Sequence, residues 1–461
     1  MSSNNLYWQT DIESLSPAQL RDLEAPLIAQ QIAYVYEYSS YYRNLYDEAG
    51  IKPEQVFDHD SLALLPFIEK SDLVAYQRQG ELFGPHQCAP TDDIVRMVAT
   101  GGSSGTPTRL GWTKNDIQTY NDMGARGLWT LGCRPNDLVI NCFNYRLYSG
   151  GIMDHMSFEN LGATILPYGV GSSAALLELL THLPESAVGG QYTLYSTPSY
   201  AVRLADLAEE KGIDLHSLPI RKGIFSGEPG LQVPGYRERI ESAWGMQARD
   251  YYGTAELGVQ SGECEHHQGF HYSSGGLVVA ELIDPDTCQV IPIEDGVKGE
   301  LVFTSLQRQA CPMIRLRTHD TVQVFTEPCA CGRHSFRFNV LGRSDDMFIV
   351  KGVNVFPLSV QEALLSLRPQ VTGEFFIELE HTPPSDVPPK VMVEVNSDLA
   401  VVAYQQVTEQ VVKTIQQHAN FTAQVVLVAA GDIASEHKTK RLYRTYEGDQ
   451  APLLSELFQG A

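Results

Sequence analysis

The sequence predicts an α/β protein: a large N-terminal domain of layered sheets and helices, residues 1–342, followed by a small α/β C-terminal domain, residues 343–461. Three observations carry this expectation. With 461 residues the chain exceeds what one ordinary core serves, so two or more domains are expected. Between about residue 95 and residue 310, short apolar runs alternate with helical stretches, the texture of α/β layers with largely parallel pairing. Near residue 343 the texture changes, and about a hundred residues of further helix and strand signals follow, enough for a small second core.

The elements follow in order. In "SLSPAQLRDLEAPLIAQQIAYVYEY" Ser16 is placed to cap a helix, Pro17 suits its first turn, and Leu20, Leu23, Leu27 and Ile28 recur at helical spacing. "DLVINCF", "GATILPY", "YTLYSTP", "KGIFSGE" and "GELVFTS" read as strands. After the boundary at Arg343 to Asp345 come a helix (Leu358 to Leu367), a strand (Phe375 to Glu380), a proline-rich loop and a strand (Val391 to Val395). A longer helix then carries Val407, Val411 and Ile415 on one face, and "QVVLV" closes the set as a strand.

Hydrophobic residues make up 43% of the chain, normal for a globular protein. The formal net charge of −23 repels nucleic acid and anionic membrane, so neither is an expected partner. An anionic small substrate would need a local positive site. The start, "MSSNNLYWQTDIESL", has no basic n-region and no apolar h-region, so a signal peptide is not expected, and no apolar run is long enough to span a bilayer. Scattered cysteines fit a reducing, cytoplasmic setting.

Four stretches carry chemistry. "VATGGSSGTPTRLGWT" holds Thr100, Gly101, Gly102, Ser103, Ser104, Gly105 and Thr106 between two strand-like runs. It opens no helix and so is not a Walker A loop; it is either a solvated surface turn or an anion nest lined with hydroxyl donors. "RDYYGTAELG" groups Tyr252, Thr254 and Glu256. "RLRTHD" ends in Asp320, which on its own reads first as an ion pair with Arg315 or Arg317 and second as an acceptor for a ribose diol. "SEHKTKRLYR" sets Lys438, Lys440, Arg441 and Arg444 in an otherwise acidic chain.

Taken in order, these stretches resemble the core motifs of the adenylate-forming superfamily, in its phenylacetate–CoA ligase branch, over nearly the whole chain. "LPFIEKSDL" resembles the branch's N-terminal motif, "ATGGSSGTPT" its phosphate loop, "STPSYAVRLADLAEEKGID" its following helix and "GIFSGEPG" its nucleotide turn. "YYGTAELG", "IRLRTHD", "GRSDDMFIVKGVNVFP" and "SEHKTKRL" resemble the motifs that follow, the third nearly residue for residue.

The resemblance implies an enzyme that joins a carboxylic acid to ATP, giving acyl-AMP, and then hands the acyl group to CoA. It implies Lys438 as the adenylation lysine, with Lys440 as a competitor two residues on, and Glu256 as the Mg²⁺ ligand. It places Thr100 to Thr106, Ser226, Gly227, Glu228, Pro229, Tyr251, Tyr252, Gly253 and Thr254 around the ATP or AMP, Thr254 beside Glu256, and Asp320 and Arg343 on the ribose. It implies a mobile C-terminal domain turning about Asp345, which brings in Lys351, Gly352, Val353 and Asn354 for thioester formation. Two departures stand out. Thr106 replaces the branch's phosphate-loop lysine, leaving Arg109 as the nearest cation, and His437 replaces a glycine before Lys438.

"CEHHQGFH" sets Cys264 before three histidines, His266, His267 and His271, and "PCACGRH" carries Cys329 and Cys331. They are either two unrelated turns or a closed tetrahedral site for structural Zn²⁺. Some members of the branch carry such a pair of motifs, which favours zinc; His271, facing Cys264 across the intervening turn, is the preferred fourth ligand over His266 and His267.

"NYRLYSGGIMDHM" occupies the place of the branch's acyl pocket, with Tyr145, Tyr148 and His155 as candidate lining residues. The branch implies an aryl or arylacetic acid, and Arg146 and its polar neighbours allow a polar-substituted one. The acceptor stays open between CoA and a carrier-protein phosphopantetheine, and a homodimer stays open too. A binding module on the same fold without turnover is the reading from another class.

Overall fold

The computed structural model describes residues 5–78, 80, 82–100, 108–147, 149–185, 189–228, 230–232, 235–258, 260–350, 353–382, 387–433, 440–452, 454 and 457–458. Of the predicted site residues, Gly101 to Thr106, Tyr148, Pro229, Lys351, Gly352 and Lys438 lie outside them. The chain divides into two compact units. The first comprises Met1–Gln232, Arg237–Thr318 and Val322–Asn339; the second comprises Val233–Tyr236, His319–Thr321 and Val340–Ala461. Among the described residues, no helix is long and apolar enough to cross a membrane.

The opening helix spans Pro17–Tyr38. Ser16 caps it with a reciprocal box: its hydroxyl accepts from the Gln19 N–H, and the Gln19 side chain accepts from the Ser16 N–H. Ile28, Ile32 and Val35 form its buried stripe.

Strands of the first unit are β1 (Arg96–Ala99), β2 (Arg109–Trp112), β3 (Leu138–Asn141), β4 (Thr164–Leu166), β5 (Tyr192–Ser196), β6 (Ile220–Phe225) and β7 (Gln247–Gly253). They continue as β8 (Gln260–Glu263), β9 (Phe270–Tyr272), β10 (Val278–Ile283), β11 (Val290–Ile291), β12 (Lys298–Ser305), β13 (Leu316–Phe325) and β14 (Arg337–Arg343), the last two reaching into the second unit. β1 and β2 pair antiparallel, and the Thr100 N–H donates to the Thr108 carbonyl at 3.0 Å beyond their ends. The hydroxyl-rich loop thus leaves and rejoins a hairpin, as its flanks predict.

The other strands form one twelve-stranded sheet in the order β11-β10-β12-β13-β14-β9-β8-β7-β6-β5-β3-β4. From β7 to β4 every neighbouring pair is parallel, with helices Ser149–Leu161, Ser173–Thr181, Pro198–Glu210 and Tyr236–Trp244 between successive strands. β5 is buried at every position, as expected of a strand covered on both faces. The expectation of largely parallel pairing fails past β7. β7 pairs antiparallel with β8, β8 with β9, and "GELVFTS" (β12) with β10. The reason is the connections: from β7 to β12 successive strands are joined by five or six residues, too short for the crossover that parallel pairing needs.

In the second unit, β15 (Phe348–Val350) and β16 (Val353–Val355) make a hairpin. β17 (Val371–Leu379), β18 (Lys390–Val395), β19 (Gln424–Val428), β20 (Leu442–Arg444) and β21 (Leu457–Phe458) make a five-stranded sheet. Alternation sorts its faces: Phe375, Ile377, Val391, Val393 and Leu427 pack with Val407, Val411 and Ile415 of helix Tyr404–Ala419, while Phe376, Met392, Val426 and Val428 pack with Ile433 on the other side.

Candidate active site

Open parallel sheets offer ligands the crevice outside their strands' carboxyl ends. Four adjacent strands of the parallel half end in predicted site residues or their supports. β3 runs on to Phe143 and Tyr145, β5 to Thr197, β6 to Ser226, Gly227 and Glu228, and β7 to Tyr252, Gly253, Thr254 and Glu256.

The β6 turn is built on Gly227, at φ +89°, where a side chain would stand 3.4 Å from the Phe143 ring and 3.7 Å from Thr197. The Ser226 N–H donates to the Ser196 carbonyl at 3.2 Å. Glu228 turns back to the preceding helix: its carboxylate accepts from the Ser199 N–H at 2.7 Å, in the first turn of Pro198–Glu210.

Near the end of β7, Tyr251 is buried and lies beside Tyr195, while Tyr252 is half-buried against Phe270 and Phe338. Thr254 and Glu256 follow in a turn closed by the Gly258 N–H on the Thr254 carbonyl at 2.8 Å. The Thr254 hydroxyl oxygen is buried with no partner among the described residues, and so is that of Thr108 on the far flank of the hydroxyl-rich loop. Buried hydroxyls normally have partners, so these two donors suit a phosphate. Glu256 meets the Lys70 ammonium at 2.8 Å. The sequence reading missed Lys70 as a site residue; its only signal was the "LPFIEKSDL" match. The Arg109 guanidinium donates to the Gln77 carbonyl at 3.1 Å.

The β3 end is knitted by Asn141, which is buried. Its Oδ1 accepts from the Phe143 N–H at 2.9 Å, and its Nδ2 donates to the Tyr145 hydroxyl at 2.9 Å. The Tyr145 hydroxyl also lies 2.9 Å from His155 Nδ1, and His155 Nε2 lies 3.1 Å from Glu159. Burial raises the Tyr145 pKa to about 12, so the phenol stays protonated and can donate to His155. Phe143, also missed from sequence, packs on Tyr195 with ring centroids 4.5 Å apart. Below them the Asp154 carboxylate accepts from Tyr120 at 2.6 Å and Tyr195 at 2.5 Å. Burial pushes its pKa up to about 6, against the pull of the two phenols.

In the second unit, Asp320 pairs with Arg343 at 3.3 Å. It does not pair with Arg315 or Arg317, the partners nearest in sequence. Arg315 is taken by Glu281 at 2.9 Å and Arg317 by Glu300 at 2.8 Å, both buried acids. Asp345 also pairs with Arg343. Val353 and Asn354 lie in β16, opposite Val350 and Ile349. Lys440 is committed to Asp449 at 2.8 Å.

The cysteine motifs converge. One ligand atom each from Cys264, His271, Cys329 and Cys331 lies within 4.8 Å of all the others. Cys264 Sγ is 3.6 Å from Cys329 Sγ, and Cys331 Sγ is 3.5 Å from His271 Nε2. Zinc–thiolate bonds of about 2.3 Å and zinc–imidazole bonds of about 2.0 Å set tetrahedral ligand atoms about 3.5–3.8 Å apart, which these spacings fit. His267 instead lies 3.1 Å from Glu263 and 3.1 Å from Arg249.

With this geometry established, the likenesses to other proteins take on meaning. Residues 352–445 match the AMP-binding enzyme C-terminal domain family. The chain is 33% identical over 377 residues to a phenylacetate-coenzyme A ligase of Thermus thermophilus, covering 81% of each protein. It is 32% identical over 452 residues to the phenylacetate-coenzyme A ligase of Pseudomonas putida, covering 95% of this chain and 98% of that one. A solved 2-hydroxyisobutyryl-CoA ligase, in the postadenylation state with 2-HIB-AMP, matches with a TM-score of 0.84 at 28% identity, covering 97% of this chain and 94% of the other. The chain belongs to the adenylate-forming superfamily, in its phenylacetate–CoA ligase-like branch, and is an AMP-forming acid–thiol ligase.

Proposed function

We propose that the chain activates an aromatic carboxylic acid, aryl or arylacetic, as acyl-AMP and transfers the acyl group to CoA. The observation that carries this reading is the convergence of the β3, β5, β6 and β7 ends, where an aromatic wall (Phe143, Tyr195) adjoins the nucleotide turn at Gly227. The Tyr145–His155 pair adds polar groups for a ring substituent.

In the first step the substrate carboxylate attacks the α-phosphorus and pyrophosphate leaves. Two anions meet, so positive charge and donors must offset their repulsion. Thr254 and the hydroxyl-rich loop donate to phosphate, and Lys438 bridges the carboxylate and the α-phosphate. Glu256 holds Mg²⁺, which when bound neutralises developing charge on the phosphates. Lys440, paired with Asp449, is the weaker candidate for the bridging role. Asp320 and Arg343 grip the ribose. In the second step the thiol sulfur attacks the acyl carbon and AMP leaves. Residues 343–461 turn about Asp345 between the steps, exchanging Lys438 for the Lys351–Asn354 stretch.

Cys264, His271, Cys329 and Cys331 hold a structural zinc. It is supported by their spacing, by the lack of an open fourth position, and by the Ser335 hydroxyl 3.5 Å from the other His271 nitrogen. The test of the whole reading is acyl-CoA formation, read by mass, over a panel of aromatic acids with short aliphatic hydroxy acids alongside. Turnover of aromatic acids supports it; turnover of the aliphatic acids alone overturns the aromatic assignment.

A further inference from the structure

The two-step chemistry gives Asp154 no task, yet its carboxylate is buried at the foot of the aromatic wall. It sits on helix Ser149–Leu161, one turn beyond Gly150 and on the same face. Tyr120 donates to its Oδ1 at 2.6 Å and Tyr195 to its Oδ2 at 2.5 Å. Two phenols leave a carboxylate with further lone pairs able to accept. Among the described residues, no cation is among the groups acting on its charge. A buried carboxylate without a cation is costly to hold. Its presence calls for a partner that these residues do not supply.

The surroundings place that partner in the acyl pocket. A Cβ at Gly227, in the nucleotide turn, would stand 3.4 Å from Phe143 Cε1. A Cβ at Gly150 would stand 3.8 Å from the same atom, 3.4 Å from Phe143 Cδ1 and 3.6 Å from Asp154 Oδ2. One edge of the Phe143 ring therefore runs from the nucleotide turn towards the carboxylate. Phe143 and Gly150 are half-buried and Asp154 is buried, so the carboxylate closes the inner end of this path. An acid whose carboxyl lies at Gly227 and whose ring lies along Phe143 presents its far end to Asp154. Burial raises the Asp154 pKa to about 6, which leaves the group ionised at neutral pH, an acceptor with no proton to give.

We propose that Asp154 sets the substrate class: aromatic acids that carry a hydrogen-bond donor, an amino or hydroxyl group, on the part of the ring remote from the carboxyl. This rests on the aromatic-acid reading above and deepens it. The substituent donates to the carboxylate that Tyr120 and Tyr195 hold in place. An apolar substituent of the same size displaces water from the carboxylate without replacing its hydrogen bond, and such an acid is rejected.

The test is kcat/KM for acyl-CoA formation, read by mass, with meta- and para-substituted benzoates and phenylacetates in size-matched sets: amino, hydroxyl and methyl. In wild type an amino or hydroxy acid should exceed its methyl isostere by about tenfold or more. Asp154→Leu should bring that ratio to within about threefold of unity, because the charge-assisted hydrogen bond is gone. Asp154→Asn, which keeps the shape but not the charge, should lower the ratio several-fold. A purely structural role depresses donor and methyl acids alike, so an unchanged ratio in either variant overturns the proposal. So does a wild type that turns over the methyl acids as well as their isosteres, a result that needs no variant to fold. If no aromatic acid is turned over, the aromatic reading fails and the proposal with it.

Discussion

Arg343 clasps Asp345 through two parallel hydrogen bonds, Nε to Oδ1 at 2.9 Å and Nη2 to Oδ2 at 2.7 Å, and points its remaining nitrogen to Asp320 at 3.3 Å. One guanidinium thus links the proposed ribose carboxylate to the proposed hinge. The Asp345 carbonyl is held in turn by Arg444 at 2.7 Å. Asp345→Pro fixes φ near about −65° and removes this side chain, and should trap one arrangement. With adenylation and thioester formation assayed separately, one half-reaction should survive and the other fail. Loss of both, or of neither, argues against a hinge at this position.

Lys438→Ala should lower adenylation by roughly two to four orders of magnitude, the effect of removing one electrostatic stabiliser. Thioester formation from pre-made acyl-AMP should change far less. Lys440→Ala should cost little in either step, since its ammonium is paired with Asp449. The reverse pattern would move the catalytic lysine by two residues.

Elemental analysis of protein purified without added metal should find about one zinc per chain, retained because thiolates hold it tightly. Cys329→Ser should lose the metal and lower the melting temperature without selectively abolishing pyrophosphate release. His271→Ala should also lose it, whereas His267→Ala, already engaged by Glu263 and Arg249, should not. Metal-free wild type would contradict the site.

Asp154 gives the fold a pH dependence of defined sign. Its folded pKa is raised from 3.8 to about 6 by burial, so between these values the folded chain binds more protons than the unfolded one. Its contribution to stability is complete at low pH and is lost as pH rises through about 6. Asp154→Asn removes this term. Urea unfolding should therefore show the variant gaining on wild type from pH 4 to pH 7, by on the order of 3 kcal/mol at most. A gap that does not change with pH would show that Asp154 titrates normally.

Much of this is legible in the sequence. The Ser16 cap, the strands flanking the hydroxyl-rich loop and the valine stripe of Tyr404–Ala419 are local patterns, and local patterns survive in sequence. The four zinc-site candidates come together because their motifs sit in the turn between the adjacent strands β8 and β9, on β9 itself, and in the loop between β13 and β14. What escaped was long-range. Asp320 finds Arg343 rather than the arginines five and three residues away, because those two are bound to the buried acids Glu281 and Glu300. Lys70 meets Glu256 only once the segment before it is bridged to β13, a contact no spacing rule contains. The direction of Arg109 was a matter of strand alternation and of Gln77, which nothing nearby announces.

The central claim is that a free acyl-adenylate forms before the thiol acts. Exchange of labelled pyrophosphate into ATP, measured without CoA, tests it most directly. The account predicts exchange that depends on the aromatic acid and on Mg²⁺, proceeds without CoA, and yields AMP rather than ADP once CoA is added. Exchange that requires CoA, or turnover that releases ADP, would contradict it.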